Sequence, residues 1–206
     1  MNVPFNPARR VVIATSNPGK LREMLAILGS HGLELVAQSA LGVEPPVEDG
    51  DSFVANALIK ARHAAAAYGL PAVADDSGLE VDALGGRPGI HTARYAGPVA
   101  DDAANIDKLL AELAGVPAGR RGARYRCGMV FLRSADDPAP VVAEGAWEGS
   151  IGFERRGSRG FGYDPVFVVA GGTLTAAEMP EAEKNRVSHR ATALAGLAER
   201  MRQAGW

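Results

Sequence analysis

The sequence predicts an α/β fold. Val11-Val-Ile-Ala-Thr15 is a short β-branched run closed by the turn residues Ser16-Asn-Pro-Gly-Lys20, after which Leu21, Met24, Leu25 and Leu28 recur at helical spacing. Arg124 to Leu132 alternates as a strand of a half-buried sheet does. Strand-like runs interleave with helical patterns along 206 residues, a length that suits one α/β domain or two closely packed lobes with a substantial core.

The first strand, 11–15, is buried by composition, and the helix over 21–28 stops at Gly29. Leu33 to Val36 reads as a second strand. Glu44-Pro-Pro-Val-Glu-Asp-Gly-Asp51 is a loop, and Asp51 or Ser52 caps a long helix from Phe53 to Tyr68 that Gly69 ends. Val54, Ala57, Leu58, Ala61 and Ala65 form one stripe of that helix, and its alanines suit close packing. Pro71 to Ala74 is a short strand running into the polar turn Asp75-Asp-Ser-Gly78.

A glycine-rich stretch follows from Leu79 to Gly97, then a helix over Asn105 to Leu113. Two strands, Tyr125 to Arg133 and Val141 to Trp147, flank the turn Ser134-Ala-Asp-Asp-Pro138. Gly157 to Pro165 is a glycine-rich loop before the apolar run Val166 to Ala170, and a last helix starts near Ser188 and runs to Gln203. No internal repeat or linker separates parts of the chain, so residues 1–206 read as one two-lobed domain.

Bulk properties exclude several classes of function. The formal net charge is −2, so no global positive field draws in a nucleic acid, and affinity for phosphate must come from a local cluster. Cys127 is the only cysteine, which rules out an intrachain disulfide and a cysteine-rich zinc site. Its place in the alternating run makes it a buried strand residue rather than a nucleophile. The segment Met1 to Arg10 lacks the apolar core of a secretory signal, and no stretch approaches a membrane span, so the expected location is cytoplasmic.

Four motifs carry candidate chemistry. The turn Thr15-Ser16-Asn17-Pro18-Gly19-Lys20 offers backbone N–H groups at a strand-to-helix junction, the helix dipole and a mobile cation, all suited to phosphate; a simple turn with a solvated lysine is the alternative. Asp75-Asp76 at a strand end repel one another unless a cation lies nearby, and hard carboxylate oxygens suit Mg²⁺, with Glu48 a third carboxylate; an Asp-rich surface turn is the alternative. In Gly160-Phe161-Gly162-Tyr163-Asp164-Pro165 the glycines let backbone approach a ligand, and Phe161 offers a stacking face for a flat base, or else the aromatics plug the core. Lys184, Arg186, His189 and Arg190 gather where the last helix is expected to begin, an end whose dipole disfavours cations, so a bound anion or an electronegative base edge is expected there. Phosphate turn, carboxylates, stacking loop and basic cluster together point to a nucleoside polyphosphate.

On these residues the chain resembles the inosine triphosphate pyrophosphatase (Ham1-like) family. The resemblance spans nearly the whole chain and rests on 15–20, Phe53-Val-Ala-Asn-Ala-Leu-Ile-Lys-Ala-Arg62, Ala74-Asp-Asp-Ser-Gly-Leu79, Leu84-Gly-Gly-Arg-Pro-Gly-Ile-His-Thr-Ala-Arg-Tyr95, 160–165, and Glu183-Lys184 with Ser188-His-Arg190. Ser16 departs from it, since many members have glycine there. The resemblance implies an elongated mixed β-sheet flanked by helices in two lobes, a nucleotide cleft between them, a homodimer and Mg²⁺. It implies that Thr15 to Lys20 hold phosphate, that Asp76 is catalytic and a metal ligand with Glu48 or Asp75, and that Ser77 touches substrate. Phe161, Gly162, Tyr163, Asp164, Lys184, His189 and Arg190 would form the nucleotide pocket, and ITP, dITP, XTP and dXTP would be cleaved to monophosphate and diphosphate. Base selection would rest on donors from His189 and Arg190 to the 6-carbonyl. A Maf-like pyrophosphatase acting on pyrimidines and a catalytically silent nucleotide sensor are the competing readings.

Overall fold

The computed structural model describes residues 10–29, 33–38, 42, 44–99 and 101–206, so the reading of 1–9 lies outside the described residues. Among the described residues six strands form one sheet in the order β2-β1-β3-β4-β5-β6. They are β1 (Arg10–Ile13), β2 (Glu34–Ala37), β3 (Ala72–Val81), β4 (Gly122–Leu132), β5 (Val141–Ile151) and β6 (Phe167–Val169). The sheet is mixed, as expected, because β1 runs parallel to β2 and β3 while β6 runs antiparallel to β5. The helices are α1 (Pro18–Leu28), α2 (Phe53–Tyr68), α3 (Asp102–Glu112), α4 (Glu181–Val187) and α5 (His189–Gln203).

The chain divides into two compact units, each drawn from separate segments. One comprises Met1–Asp76, Cys127–Gly145 and Arg190–Trp206; the other comprises Ser77–Arg126 and Ala146–His189. In the first unit the alternation of β-strand side chains sorts residues onto two faces. Val11, Ile13, Val73, Cys127, Met129 and Phe131 pack with Met24 and Leu28 of α1 and with Ala193, Leu194 and Leu197 of α5. Their neighbours Val12, Ala14, Ala72, Ala74, Val130 and Leu132 pack with Ala57, Ala61, Ala64 and Ala65 of α2. The alanine stripe lets α2 lie close to the sheet. Gly128 belongs to the same contact, for a Cβ there would sit 2.8 Å from the backbone nitrogen of Val54.

Helix α2 has the predicted ends: Ser52 Oγ accepts from Ala55 N, and Gly69 closes the helix at φ 62°, a left-handed conformation that glycine adopts freely. In the second unit Leu79, Val81, Ile106, Leu109, Tyr125, Trp147, Tyr163 and Phe167 form a separate core.

Two expectations are corrected. Asp75 to Gly78 is not a turn but the middle of β3, which runs ten residues from Ala72 to Val81. The cationic partners described below neutralise the carboxylates that would otherwise interrupt a strand. The basic segment does not precede a single helix either. Lys184 and Arg186 lie in the last turn of α4, where the dipole favours cations, and Ser188 closes α4 before α5 begins at His189. The dipole argument for a bound anion therefore does not apply to Lys184 and Arg186.

Candidate active site

The functional side chains fall into two groups, one in each unit. In the first unit β1 delivers the chain to the Thr15–Lys20 turn, and Asn17 caps α1. Asn17 Oδ1 accepts from Gly19 N at 2.8 Å and from Lys20 N at 3.2 Å, while Thr15 Oγ1 accepts from Asn17 N at 3.2 Å. These amides, expected to face a phosphate, are thus engaged by the turn itself, and Pro18 has no N–H to offer. What the turn presents to an anion is the dipole of α1, the Lys20 ammonium and the exposed Ser16. Ser16 is exposed, and among the described residues no non-glycine has positive φ, so serine meets no backbone conflict there.

Asp75 and Asp76 point to opposite faces of β3, as strand geometry requires. Asp75 shares the face of Val73 and is 1% exposed. Its Oδ2 lies 3.1 Å from Lys20 Nζ and accepts from Arg190 Nε at 3.2 Å. Burial alone would raise its pKa, but the charges of Lys20, Arg190 and Lys60 hold the carboxyl well below the usual carboxylate range. Arg190 is itself 1% exposed and also donates from Nη1 to Glu23 of α1. Burial opposes its charge, and Asp75 and Glu23 more than restore it, raising the guanidinium above its ordinary value. Arg190 thus pairs with two carboxylates of its own unit.

Asp76 shares the other face, with Ala72 and Ala74, beneath α2. Asn56 Nδ2 donates to Asp76 Oδ2 at 3.1 Å, and Lys60 Nζ donates to Asp76 Oδ1 at 3.1 Å and to Glu48 Oε2 at 2.9 Å. Burial lowers the Lys60 pKa, but Asp76, Asp75 and Glu48 outweigh it and leave the ammonium raised. Asn56 Oδ1 also accepts from Gly50 N at 2.9 Å, tying the loop that carries Glu48 to the same point. A Cβ on Gly50 would meet Asn56 Oδ1 at 2.7 Å.

Among the described residues no three His, Cys, Asp or Glu side chains converge as a metal site. Glu48 and Asp76 do converge on a single cation, the Lys60 ammonium, and two hard carboxylates are a donor set that Mg²⁺ accepts, completing its shell with water and substrate oxygens. The two residues fit that ion. Asp75 does not join them, because it lies on the far face of the strand with two cations of its own.

In the second unit the loop over 157–165 is built around Asp164, which is 2% exposed. Its Oδ2 accepts from Phe161 N at 3.0 Å and from Lys184 Nζ at 2.6 Å, and Tyr125 OH donates to its Oδ1 at 3.2 Å. Gly160 adopts φ 75° and could not carry a Cβ, which would fall 1.9 Å from Asp164 Oδ2. Gly162 N donates to Asp102 Oδ2 at 2.7 Å. Tyr163 is buried, donates to Thr92 O at 2.8 Å, and has its phenol pKa pushed up by burial. Tyr163 and the Asp164 carboxylate thus hold the loop together, and of the two aromatics Tyr163 is the one buried in the core.

Phe161 is half-buried, with Lys184 Nζ 5.0 Å from its ring centroid. His189 is buried, its ring stacked on Tyr125 at 4.7 Å between centroids and 12° between planes. Ser77, the first residue of this unit, is partly exposed on β3.

The sequence reading assigns no role to Asn56, Lys60, Glu23 or Tyr125, although the first two stand in the motif over 53–62. Asn56 and Lys60 stand four residues apart on α2, hence on one face, so polar residues at that spacing beside an alanine stripe were a readable signal. No comparable signal marks Glu23 or Tyr125, whose partners come from far along the chain. Cys127 is buried, and burial followed by the Asp75 charge pushes its thiol pKa up, which removes it as a nucleophile.

The model of the Ham1 family matches residues 11–200. A dITP/XTP pyrophosphatase from Methylococcus capsulatus is 62% identical over 194 residues, covering 94% of this chain and 96% of that protein. Another dITP/XTP pyrophosphatase, from Yersinia pseudotuberculosis, is 52% identical over 196 residues, covering 95% of this chain and all of the other. Among solved structures, a Ham1 protein from Coxiella burnetii superimposes with a TM-score of 0.86 at 43% identity, covering 95% of this chain and 99% of its own.

Proposed function

We propose, from the premise that the chain belongs to the Ham1 family, that it is a pyrophosphatase of non-standard purine nucleotides. It hydrolyses ITP, dITP, XTP and dXTP to the monophosphate and diphosphate, acting on the α–β phosphoanhydride. The observation that carries this reading is the convergence of Glu48 and Asp76 on one cation, with Lys20 on the opposite face of the same strand.

Mg²⁺, held by Asp76 and Glu48, would supply charge for phosphate oxygens and acidify a water. Asp76, anchored by Asn56 at Oδ2, accepts the water's proton, and the oxygen attacks the α-phosphorus. The bond from that phosphorus to the bridging oxygen breaks, and diphosphate leaves with its charge met by Lys20 and the α1 dipole. Thr15, Ser16, Asn17, Pro18, Gly19 and Ser77 shape the approach of the phosphates. Asp75 and Arg190 act on Lys20 and α1 as positioning residues.

Phe161 stacks on the base, Lys184 brings charge beside that ring, and Gly162, Tyr163 and Asp164 hold the loop in place. His189 presents a donor that suits the 6-carbonyl of hypoxanthine and xanthine and is mismatched with the 6-amino group of adenine. A buried donor left without its acceptor is costly, so such a site discriminates strongly. The formal charge of −2 suits a nucleotide substrate handled by local clusters rather than a nucleic acid. Among the described residues no helix is long and apolar enough to cross a membrane. A cytoplasmic homodimer completes the reading.

The test is turnover of ITP, XTP, dTTP and ATP with Mg²⁺, with products identified by phosphorus NMR. Diphosphate and monophosphate from ITP and XTP, in preference to ATP and dTTP, are expected. Orthophosphate as the product, or preference for dTTP, would contradict it.

A further inference from the structure

Lys60 holds the two carboxylates assigned to the metal. Its Nζ lies 2.9 Å from Glu48 Oε2 and 3.1 Å from Asp76 Oδ1, and the side chain is 12% exposed. Asn56 engages the other oxygen of Asp76, so Oδ1 is the atom left to face a cation, and Lys60 takes that atom. We propose that the Lys60 ammonium and the divalent cation are mutually exclusive partners of Glu48 and Asp76, so that the metal enters by displacing Lys60, and the displaced ammonium turns to the substrate's phosphates. The inference rests on the metal reading of Glu48 and Asp76 given above.

The exclusion follows from size and charge. Mg²⁺ binds carboxylate oxygen at about 2.0–2.1 Å. An ion shared by Glu48 Oε2 and Asp76 Oδ1 needs the same two oxygens that Nζ now holds. A second positive charge cannot stay in contact with it there. The lysine therefore acts as an internal counterion that offsets the repulsion of two facing carboxylates and holds them aligned, and it weakens the site's affinity for a metal arriving alone. A metal arriving with a polyphosphate meets no such penalty, since the phosphates give the displaced ammonium a new partner. The arrangement makes metal and nucleotide bind cooperatively, and the coupling is reciprocal.

The experiment is direct titration with Mn²⁺, followed by electron paramagnetic resonance without nucleotide, on the full chain and on Lys60→Met, Lys60→Gln and Glu48→Gln variants. Folding is monitored by circular dichroism, and Lys60→Gln serves if the methionine fails to fold. The expected result is Mn²⁺ bound tenfold or more tightly by the Lys60 variants than by wild type, with loss of binding in Glu48→Gln. Equal or weaker binding by the Lys60 variants, with Glu48 still required, would overturn the exchange alone. Binding that ignores Glu48 in every protein would overturn the metal reading and the exchange with it.

Discussion

Asp75 and Asp76 are consecutive in β3 yet serve different partners on opposite faces, Lys20 and Arg190 on one side and Asn56 and Lys60 on the other. In the proposed mechanism the first face positions Lys20 for phosphate and the second prepares Asp76 to accept a proton. Two adjacent acids in a strand are tolerated because each finds its cation separately.

Asp75→Asn is therefore expected to destabilise more than a surface change. It leaves Arg190 and Lys20 short of a buried counter-charge, a loss on the order of 3–5 kcal/mol. The pH dependence follows from the lowered pKa of Asp75. A depressed carboxylate contributes stability above its unfolded pKa and loses it as pH falls through the folded one. Wild-type stability should thus decline from about pH 4, the ordinary aspartate value, and continue to fall well below it. Urea unfolding of both proteins from neutral to acid pH checks this: the variant starts lower and declines less steeply. Parallel curves would mean that Asp75 makes no such contribution.

Much of this was legible in the sequence. The β-branched run at Val11, the Ser52 and Gly69 ends of α2 and the alternation of β4 all rest on local patterns, and local patterns survive folding. The extent of β3 was not legible, because Asp-Asp-Ser-Gly has poor strand propensity and its carboxylates meet their partners, Lys20 and Arg190 for Asp75 and Asn56 and Lys60 for Asp76, only in the folded chain. The break at Ser188 was hidden for a similar reason, since two helices in succession share one polar pattern. Within the candidate site, Lys20, Asp76, Glu48 and Phe161 could be singled out by residue type and motif. The assignment of Arg190 to Glu23 and Asp75 depends on pairings across 167 and 115 residues, which no spacing rule reveals.

Placement of His189 and Arg190 predicts that they fail differently. His189→Ala removes a donor stacked on Tyr125 beside the loop of Phe161, so kcat/KM for ITP should fall roughly ten- to a hundredfold with little change for ATP. Arg190→Lys should lower both substrates by a common factor, because it acts through Asp75 and Lys20. The ITP/ATP ratio in each variant decides the matter, and a ratio that collapses in Arg190→Lys while holding in His189→Ala would reverse the assignment.

Gly160→Ala combines a left-handed φ of 75° with a Cβ 1.9 Å from Asp164 Oδ2. The strain is on the order of 1–3 kcal/mol, and relief requires Asp164 to move away from Lys184 and Phe161 N. KM for ITP should rise. Gly171→Ala is the control, with φ also 75° but nothing within 4 Å, and it should lose stability with KM unchanged. Equal KM in both variants would show that Asp164 does not organise the pocket.

The most direct measurement is diphosphate release from ITP with Mg²⁺ by wild type and Asp76→Asn, with urea unfolding of both. An amide keeps the shape of the side chain and one oxygen for Lys60, but its NH2 replaces the acceptor that Asn56 Nδ2 uses, and it cannot serve as a base. The account predicts a loss of about 10²–10⁴-fold in kcat in a protein that still unfolds cooperatively, at a somewhat lower midpoint than wild type. A folded Asp76→Asn protein that releases diphosphate at the wild-type rate would contradict it.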